Sequence, residues 1–575
     1  MRRMPTPSRR VAWSFALLAA AFAQPLRADD APPPPPKDDV DLSIVHRIKA
    51  EAFRGSRVMD HLFWLTDANG PRLSGSPGFQ SAADWAVKAL QGYGGKNVQQ
   101  EKWGKFGRSW SLQHFSAALV QPYAPLIGMP QAWSGSTKGP QTAEVYYAPL
   151  RTRDEAQDWH DLDKRAAQVQ RFIAAHKGKL RGKIVLLREL REFETPSKLA
   201  IERLDDLKLA KLTPAPDVLP PVEIEWPVRK LPSEPKKRAA FFQSVPLEVM
   251  ADYWERMHAV NDALWTFLNQ EGAVAAFTTD DRGDGALIFV EAAGGVQMGA
   301  PVPPPIVTLA PESYDRLVRM AEKRVPVQVA LDVQATIHDD VDGINVVAEL
   351  PGGKKKDEVV MLGAHLDSWH AGTGAADNAA GSAVMIEAFR ILKALNLKLD
   401  RTVRLALWSG EEQGLYGSRN YVKNHFGDQV TMSIKPAHAK LAGYFNVDNG
   451  SGKIRGVYLQ GNDMVRPIFE KWLAPFKDLG ANTLTIRNTG GTDHLPFEGV
   501  GLPGFQFIQD PLDYETRTHH SHLDVADHIE PGDLMQAAAI VASFVYNTAN
   551  RHDLLPRKPL PLPLPAKKEP VAEVR

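Results

Sequence analysis

The second half of the chain alternates short apolar runs with segments of helical periodicity. The apolar runs are VVMLGAH from Val359, TVRLALW from Thr402, AGYFNVD from Ala442 and GFQFIQ from Gly504. Segments such as AGSAVMIEAFRIL and MVRPIFEKWLAPF lie between these runs and place apolar residues at helical spacing. Strands and helices in alternation are typical of a parallel sheet with helices on both faces. We therefore predict an α/β domain with a doubly wound, mostly parallel sheet over residues 326–550.

The first half of the chain has a different pattern. Helical periodicity at about 42–65 and 80–92 predicts helices that cover the same sheet, so that residues 40–130 form the N-terminal part of the catalytic domain. Residues 131–325 mix short strands and helices without a cluster of His, Asp and Glu, which predicts an inserted, non-catalytic domain. Within it the segment 190–245 is rich in Lys, Pro and Leu and lacks periodicity, which indicates either a lid or a disordered insert.

The first 28 residues have the pattern of an export signal. Four arginines within residues 1–10 precede the apolar stretch VAWSFALLAAAFA, and Ala23 or Ala28 offers a cleavage site. The stretch is shorter than the roughly 20 apolar residues of a membrane span. We predict a secreted or periplasmic protein without stable membrane insertion after cleavage; an uncleaved N-terminal anchor is the alternative. Proline-rich segments, a linker at 29–39 and a tail at 551–575, are expected to be extended or disordered.

Charge and cysteine content exclude several classes of function. The formal net charge is zero, from 68 basic and 68 acidic residues, so the chain has no basic excess for binding nucleic acid. The sequence contains no cysteine, which excludes disulfides, thiolate metal sites and a cysteine nucleophile. Any metal centre must therefore use histidine and carboxylate ligands.

Each apolar run of the predicted sheet is followed by histidine or carboxylate side chains. Because the carboxyl ends of parallel strands meet at one edge of a sheet, we expect these side chains to lie close together. The intervals of 35 and 36 residues between successive carboxylates, Asp377 to Glu412 to Asp448, approach the roughly 30 residues of one βαβ repeat. Imidazole and carboxylate groups are good ligands for zinc and similar ions. The candidates are His365, Asp377, Glu411, Glu412, Asp448 and His520.

Two neighbouring glutamates cannot face the same way on regular structure, so Glu411 and Glu412 are expected to differ in function. The full set fits a two-metal hydrolase, in which two ions activate a water and polarise a carbonyl while a free carboxylate acts as general base. Each candidate also has a structural alternative when taken singly. His365 with Asp367 could form a hydrogen-bonded turn, Glu412 could be a helix N-terminal acid, and Asp448 could stabilise a turn.

Five ordered motifs resemble a known enzyme family. The motifs are AHLDSW…GAADNAAG, ALWSGEEQGLYGS, FNVDNG, GGTDHLPFE and THHSHLD. They resemble the di-zinc exopeptidases of the aminopeptidase and glutamate carboxypeptidase superfamily, especially its carboxypeptidase Q-like and aminopeptidase Y-like members, over roughly 40–130 and 325–550. In the middle region, LRGKIVLL and EGAVAAFTT resemble the protease-associated domain that these enzymes often carry. The resemblance implies the zinc exopeptidase fold, two Zn²⁺ per chain and peptide substrates.

The resemblance also implies a role for each metal ligand. Asp377 would be the carboxylate that bridges the two ions. Glu412 and His520 would complete one zinc site, and His365 and Asp448 would complete the other. The peptide bond after the bridging aspartate is typically cis in this family. We expect the glycine-rich loop GTGAAD to be flexible, so that it can swing the Asp377 carboxylate between two metals.

Further residues are implied around these ligands. Glu411 would be the general base, and Asp367 would orient the imidazole of the histidine that precedes it by two residues. Asp493 and His494 lie in a glycine-rich loop near the expected pocket and are candidates for contact with substrate, with simple turn chemistry as the alternative. His519, next to a predicted ligand, is a third candidate for contact with substrate.

These observations predict an exported zinc exopeptidase of the aminopeptidase or dipeptide carboxypeptidase type. Two alternatives remain open on the same fold: a single-zinc, glutaminyl cyclase-like acyltransferase and a non-catalytic, receptor-like relative. The residues that choose between amino- and carboxypeptidase action are not evident in the sequence. The oligomeric state also stays open, and a homodimer is one of the choices.

Overall fold

The computed structural model describes residues 39–192, 200–217 and 224–568. The predicted signal segment 1–28 lies outside the described residues, together with nearly all of the linker 29–39. Parts of the 190–245 insert and the end of the proline-rich tail also lie outside them. Within the described ranges, no helix combines the length and the apolar character needed to cross a membrane.

Most strands belong to one continuous mixed sheet. The strands are β1 (Lys96–Leu119), β2 (Ala124–Pro125), β3 (Gly128–Pro130), β4 (Gln141–Tyr147), β5 (Lys183–Leu186), β6 (Ala275–Thr278), β7 (Ile306–Leu309), β8 (Gln328–Leu350), β9 (Lys355–His365), β10 (Arg401–Trp408), β11 (Gly427–Asp428), β12 (Ser433–Ile434), β13 (Leu441–Asn446), β14 (Ile454–Tyr458), β15 (Thr483–Thr485) and β16 (Gly504–Gln509). The order across the sheet is β15-β14-β16-β13-β9-β10-β8-β4-β5-β6-β7-β3, and β1 pairs with β2 and β8. Strand β9 is parallel to both β10 and β13, and β13 is parallel to β16. The predicted α/β class is confirmed. The sheet is largely parallel within residues 326–550, the predicted catalytic domain, which is called the catalytic half below.

Helices cover the sheet and bury a large apolar core. The core is densest around a C-terminal helix, on which Phe544 is fully buried with its ring 5.2–5.7 Å from four other aromatic rings. The helices are α1 (Leu42–Arg54), α2 (Val58–Leu65), α3 (Pro77–Gly92), α4 (Arg153–Ala156), α5 (Leu162–His176), α6 (Asp206–Leu212), α7 (Pro235–Ser244), α8 (Leu247–Ala259), α9 (Asp262–Glu271), α10 (Pro311–Glu322), α11 (Ala380–Ala394), α12 (Tyr416–His425), α13 (Arg466–Leu473), α14 (Leu495–Gly499) and α15 (Pro531–Asn550).

The predicted helix at 42–65 is two helices, α1 and α2. The break falls at Gly55, whose N–H still donates to the carbonyl of Glu51 and so ends α1. The next helix begins where the N–H of Arg57 donates to the buried carboxylate of Glu387, 3.1 Å away on α11. A tertiary acceptor therefore decides where α2 starts, which the periodicity of the segment does not reveal.

Two long antiparallel strands connect the catalytic half to the middle region. Strand β1 runs for 24 residues beside β8, which itself spans 23 residues. Glycines and charged residues interrupt the apolar positions of β1 and hide the strand in the sequence. The interruptions are absorbed as irregularities in the pairing, and at two of them Gly104 and Gly107 adopt φ of 152° and 111°. The middle region is thus joined to the catalytic half through the sheet itself.

The described parts of the 190–245 insert have structure of their own. Helix α7 of the insert and helix α8, which directly follows the insert, share an apolar cluster. Leu231 and Tyr253 are fully buried in this cluster, and Leu564 of the proline-rich tail packs against it. The tail is extended, and its backbone is held where Leu564 N–H donates to Val430 and Lys568 N–H donates to Trp226. The tail therefore packs against both the insert and the catalytic half.

His61 on α2 makes stability depend on pH. Its ring is buried, with Nε2 2.9 Å from the Tyr93 hydroxyl and Nδ1 3.7 Å from Glu387. Burial lowers the pKa of His61 from 6.5 to about 4, although attraction to Glu387 opposes the change. Because the unfolded chain then binds the proton more tightly, we expect this residue to remove about 3 kcal/mol of unfolding free energy as pH falls from 6.5 to 4.

Urea unfolding between pH 4 and pH 7 tests this expectation. In His61→Gln the pH dependence is expected to be shallower by about that amount. The control is His46→Gln on α1, because the His46 side chain is exposed. Equal pH dependence in the wild type and in His61→Gln would contradict the assignment.

Candidate metal centre

The predicted site residues meet at one edge of the sheet. His365 is the last residue of β9, the two glutamates follow the end of β10, and Asp448 follows the end of β13. His520 lies on the loop after β16, and its backbone has φ of 64°. Because β9, β10, β13 and β16 run parallel, their carboxyl ends deliver these side chains to the same place.

Asp377 lies between two groups of candidate ligands. Its Oδ1 is 3.1 Å from His365 Nε2, and that nitrogen is 3.5 Å from Asp448 Oδ2. Its Oδ2 is 3.5 Å from His520 Nε2, and that nitrogen is 3.1 Å from Glu412 Oε2. The structure therefore brings all five predicted ligands together, with one oxygen of Asp377 facing each pair.

The donor atoms fit divalent ions. His365 Nε2 and Glu412 Oε1 are buried without any hydrogen-bond partner in the described structure. A small cavity of about 10 Å³ borders Asp377, Glu412 and His520, which is about the size of one water or ion. Imidazole nitrogens and carboxylate oxygens at this spacing suit zinc. The site can therefore hold metal ions, with His365, Asp377 and Asp448 as one ligand group.

The second ligand group has two possible compositions. In the first, Glu412 joins His520, with Oε2 of Glu412 3.1 Å from Nε2 of His520. His519 also comes near, with its Nε2 3.9 Å from Asp377 Oδ2 and its ring stacked on Tyr514. Asp377, His519 and His520 can therefore surround an ion as well. The sequence predicted His519 as a contact for substrate, and its ring does line the large cavity next to the site.

The acidic groups at this edge shift one another's protonation. Burial raises the pKa of Glu412 to about 7, and repulsion from Asp377 adds to this effect. Burial also raises the pKa of Glu411 well above its ordinary value, although His365 opposes it. Burial would lower the pKa of His365, but attraction to Asp448 and Glu411 outweighs it and raises that pKa well above 6.5. The carboxylates thus create a strong demand for positive charge in a place with little water.

The adjacent glutamates face different ways, as predicted. Glu412 points at His520, whereas Glu411 lines the large cavity with its Oε2 3.9 Å from His365 Nε2. Both backbone N–H groups donate to the carboxylate of Asp367, at 3.3 and 3.4 Å. Asp367 also accepts the Ser74 hydroxyl at 2.8 Å. This carboxylate therefore fixes the turn that presents the glutamate pair.

Asp367 was predicted to orient the imidazole of His365, but its carboxylate holds the glutamate turn instead. Its carboxylate is 3.7 Å from His365 Nδ1, which is too long for a hydrogen bond. The backbone carbonyl of Asp367 accepts from Nδ1 instead, at 3.0 Å. Because a carbonyl only accepts, Nδ1 carries a proton, so Nε2 is the nitrogen whose lone pair would bind an ion that displaces the second proton.

The loop that carries Asp377 is held firmly, contrary to the expectation that it swings. The N–H groups of Ala376 and Asp377 donate to the two oxygens of the buried Asp524 carboxylate, at 2.6 and 3.1 Å. The Asp524 carbonyl accepts the N–H groups of Thr373 and Gly374. The Asp377–Asn378 bond is cis, as the resemblance implied. Asp377 needs no movement, because its two oxygens already face the two ligand groups.

Arg72 fixes the other side of the same loop and is a residue that the sequence did not reveal. Its guanidinium is fully buried and donates to four carbonyl oxygens at 2.6–2.8 Å. These belong to Leu65, Leu366, Thr373 and Gly374. Arg72 comes from the loop before α3, about 300 residues away in sequence, and no motif marks it.

Three more residues near the candidate ligands were missed or only partly identified. The Tyr514 hydroxyl donates to Asp377 Oδ2 at 3.0 Å and is buried. Asp524 belongs to the THHSHLD motif, which was the only sequence signal for it. Glu291 of the middle region hydrogen-bonds His520 from the side away from the ligands. Only the folded chain shows these contacts.

A cavity of about 1170 Å³ opens beside the ligands. Much of its wall is apolar and comes from Trp133, Met250, Trp254 and Trp369. Glu411 faces into the cavity. Helix α8 of the middle region lines it and is attached to α12 by hydrogen bonds from Arg419 to Glu248 and from Tyr416 to Glu255, both 3.1 Å. The cavity is therefore built by the catalytic half and the middle region together.

Asp493 and His494, predicted to contact substrate, do not line this cavity. Both are fully buried. Asp493 accepts the Ser418 hydroxyl at 2.5 Å, and burial raises its pKa to about 8. His494 is 3.1 Å from the carbonyl of Thr489, and burial lowers its pKa to about 4. The two residues therefore lie in the protein interior and not among the residues that line the cavity.

Comparison with known proteins agrees with the geometry. Residues 345–545, which hold all five candidate ligands, match the model of peptidase family M28. Carboxypeptidase Q of Bos taurus is 32% identical over 262 residues, which is 45% of this chain and 53% of that protein. The chain thus spans about half the length of the curated relatives that it matches.

Solved structures share the fold over most of the chain. The peptidase M28 precursor from Shewanella amazonensis aligns with a TM-score of 0.59 at 23% identity, covering 90% of this chain and 98% of that chain. A zinc aminopeptidase from Bacillus subtilis aligns with a TM-score of 0.50 at 18% identity, covering 87% and 99%. These alignments include the middle region, which the family model does not cover.

Arg72 generates a prediction about stability. Replacing it by Met removes all four hydrogen bonds and leaves buried carbonyls and the nearby carboxylates without their positive partner. We expect Arg72→Met to lower the free energy of unfolding by about 3–5 kcal/mol. Arg72→Lys is expected to recover only part of this, because an ammonium group has three donors without the planar fork.

Guanidinium unfolding followed by circular dichroism measures the effect. Arg57→Met is the control, since the Arg57 side chain is 63% exposed and pairs only with Asp60 at the surface. The control is expected to change stability by less than about 0.5 kcal/mol. A loss below about 1 kcal/mol in Arg72→Met would show that the loop does not depend on this residue.

Proposed function

We propose that the protein is an exported, zinc-dependent exopeptidase that hydrolyses peptide bonds at the ends of peptides. The observation that carries the proposal is Asp377, whose two oxygens face two separate ligand groups beside a large cavity. The family match over the ligand-bearing region supports peptidase action. The chain's similarity to carboxypeptidase Q and to a zinc aminopeptidase supports zinc as the metal and action at a peptide terminus. Export rests on the N-terminal 28 residues alone.

One zinc ion would be held by His365, Asp377 and Asp448. The other would be held by Asp377, Glu412 and His520. Bound there, zinc supplies Lewis acidity, which makes water more acidic and polarises a carbonyl. Glu411 faces the cavity from the end of β10 without taking part in either group. We assign it to remove a proton from the attacking water and deliver it to the leaving amine nitrogen.

The cavity also supports short or terminal segments of peptide as substrates. Its wall is formed on one side by α8 of the middle region and on the other by the loops that carry the candidate ligands. The aromatic side chains in that wall, Trp133, Trp254 and Trp369, favour apolar side chains of the substrate.

A panel of one peptide with free, N-acetylated, C-amidated and doubly blocked ends tests the proposal. We expect cleavage by single residues or dipeptides from one end, so that blocking that end abolishes cleavage and the doubly blocked peptide resists it. Product masses give the answer directly. Cleavage inside the doubly blocked peptide would contradict exopeptidase action, and pyroglutamate as the sole product would favour the cyclase alternative.

Glu411→Gln tests the general base. The side chain keeps its shape but cannot accept a proton, so kcat is expected to fall by about 10²–10⁴-fold. Zinc content, measured by elemental analysis, is expected to stay at about two ions per chain. Asp377→Ala is the contrasting variant and is expected to lose both ions, since each group shares this carboxylate. Near-normal turnover in Glu411→Gln would exclude Glu411 as the base.

A further inference from the structure

A short segment of the middle region pairs with the histidine loop. The N–H of Val290 donates to the carbonyl of His520 at 3.0 Å, and the N–H of His522 donates to the carbonyl of Ile288 at 3.2 Å. Between these bonds Phe289 and Ser521 form a β-bridge. The two segments thus form a small ribbon that crosses from the middle region to the metal centre.

This ribbon places Glu291 against a predicted zinc ligand. Its Oε1 is 2.6 Å from Nδ1 of His520, on the side of the ring opposite Asp377 and Glu412. The backbone carbonyl of Glu291 accepts from Ala132 at 3.0 Å, so the residue is also tied to the middle region. Arg282 lies 3.7 Å from the same carboxylate oxygen. The position of this carboxylate is therefore fixed from several sides.

The backbone of His520 makes such support necessary. Its φ of 64° lies in the left-handed region, which a residue with a side chain keeps only where its surroundings fix it. A carboxylate that accepts the Nδ1–H bond holds the ring and leaves the lone pair of Nε2 free for an ion. His365 has only a backbone carbonyl in the corresponding place. The two histidines are thus supported in chemically different ways.

We propose that Glu291 is a positioning residue for His520, by which the middle region completes one of the two metal sites. This proposal rests on the metal centre proposed above. It follows that binding of an ion at the His520 site and docking of the middle region stabilise each other. The His365 site does not depend on this contact.

Zinc titration of the full chain against a chromophoric chelator tests the proposal. In Glu291→Ala we expect one of the two zinc affinities to fall about 10–100-fold while the other stays unchanged. Glu291→Gln keeps the shape and an acceptor oxygen but loses the charge, so a smaller loss at the same site is expected. Cleavage activity is not needed as a readout.

Asp284→Asn is the matched control. Asp284 joins the same two segments through an ion pair with Arg517 at 2.5 Å, but it touches no candidate ligand. It is expected to leave both zinc affinities unchanged, even if thermal stability falls. If Asp284→Asn lowers the same affinity as Glu291→Ala, docking alone matters and Glu291 has no special role.

The remaining outcomes separate this proposal from the proposed function. Two zinc ions with wild-type affinities in Glu291→Ala would overturn the positioning role and leave the peptidase proposal standing. A wild-type protein that binds no zinc would instead remove the proposed function. If circular dichroism shows that Glu291→Ala does not fold, the zinc affinities of Glu291→Gln decide instead. Unchanged zinc affinities in that variant overturn the proposal.

Discussion

Negative charge is concentrated around Asp377, beside the large cavity. Five carboxylates meet there with little or no exposed surface: Asp367, Asp377, Glu411, Glu412 and Asp448. Burial raises the pKa values of the two glutamates, and repulsion from neighbouring carboxylates adds to the effect. Such a cluster is costly unless cations and hydrogen-bond donors compensate it. Backbone N–H groups and histidines of this chain supply part of that compensation. Bound zinc would supply the rest.

The surrounding structure serves to hold these carboxylates in place. Asp524 and Arg72 fix the two sides of the Asp377 loop, and Asp367 fixes the turn of the glutamate pair. None of these three residues needs to touch substrate. The loop is therefore better described as a rigid support than as a mobile arm, which agrees with the fixed geometry that two adjacent ions require.

The middle region contributes to the surroundings of the candidate metal centre. The sheet continues into it through β1 and β8, α8 forms one wall of the large cavity, and Glu291 reaches His520. Its sequence holds no cluster of ligands, which is why sequence analysis assigned it no catalytic part. One carboxylate and one helix are enough to involve it in ligand positioning and in the shape of the cavity.

The sequence by itself determined the strand-and-helix order of the catalytic half and indicated the five candidate ligands, because these lie at or beyond the ends of apolar runs and parallel strands bring such positions to one edge. It also indicated that Glu411 and Glu412 face different ways. The tertiary structure decided that Asp367 supports the glutamate pair, that the Asp377 loop is fixed, and that Asp493 and His494 lie behind the cavity wall. It also added Arg72, Tyr514 and Glu291. The hydrogen bonds of Arg72 to Thr373, of Tyr514 to Asp377 and of Glu291 to His520 join residues 301, 137 and 229 positions apart. Single hydrogen bonds between such distant residues leave no periodic pattern in the chain.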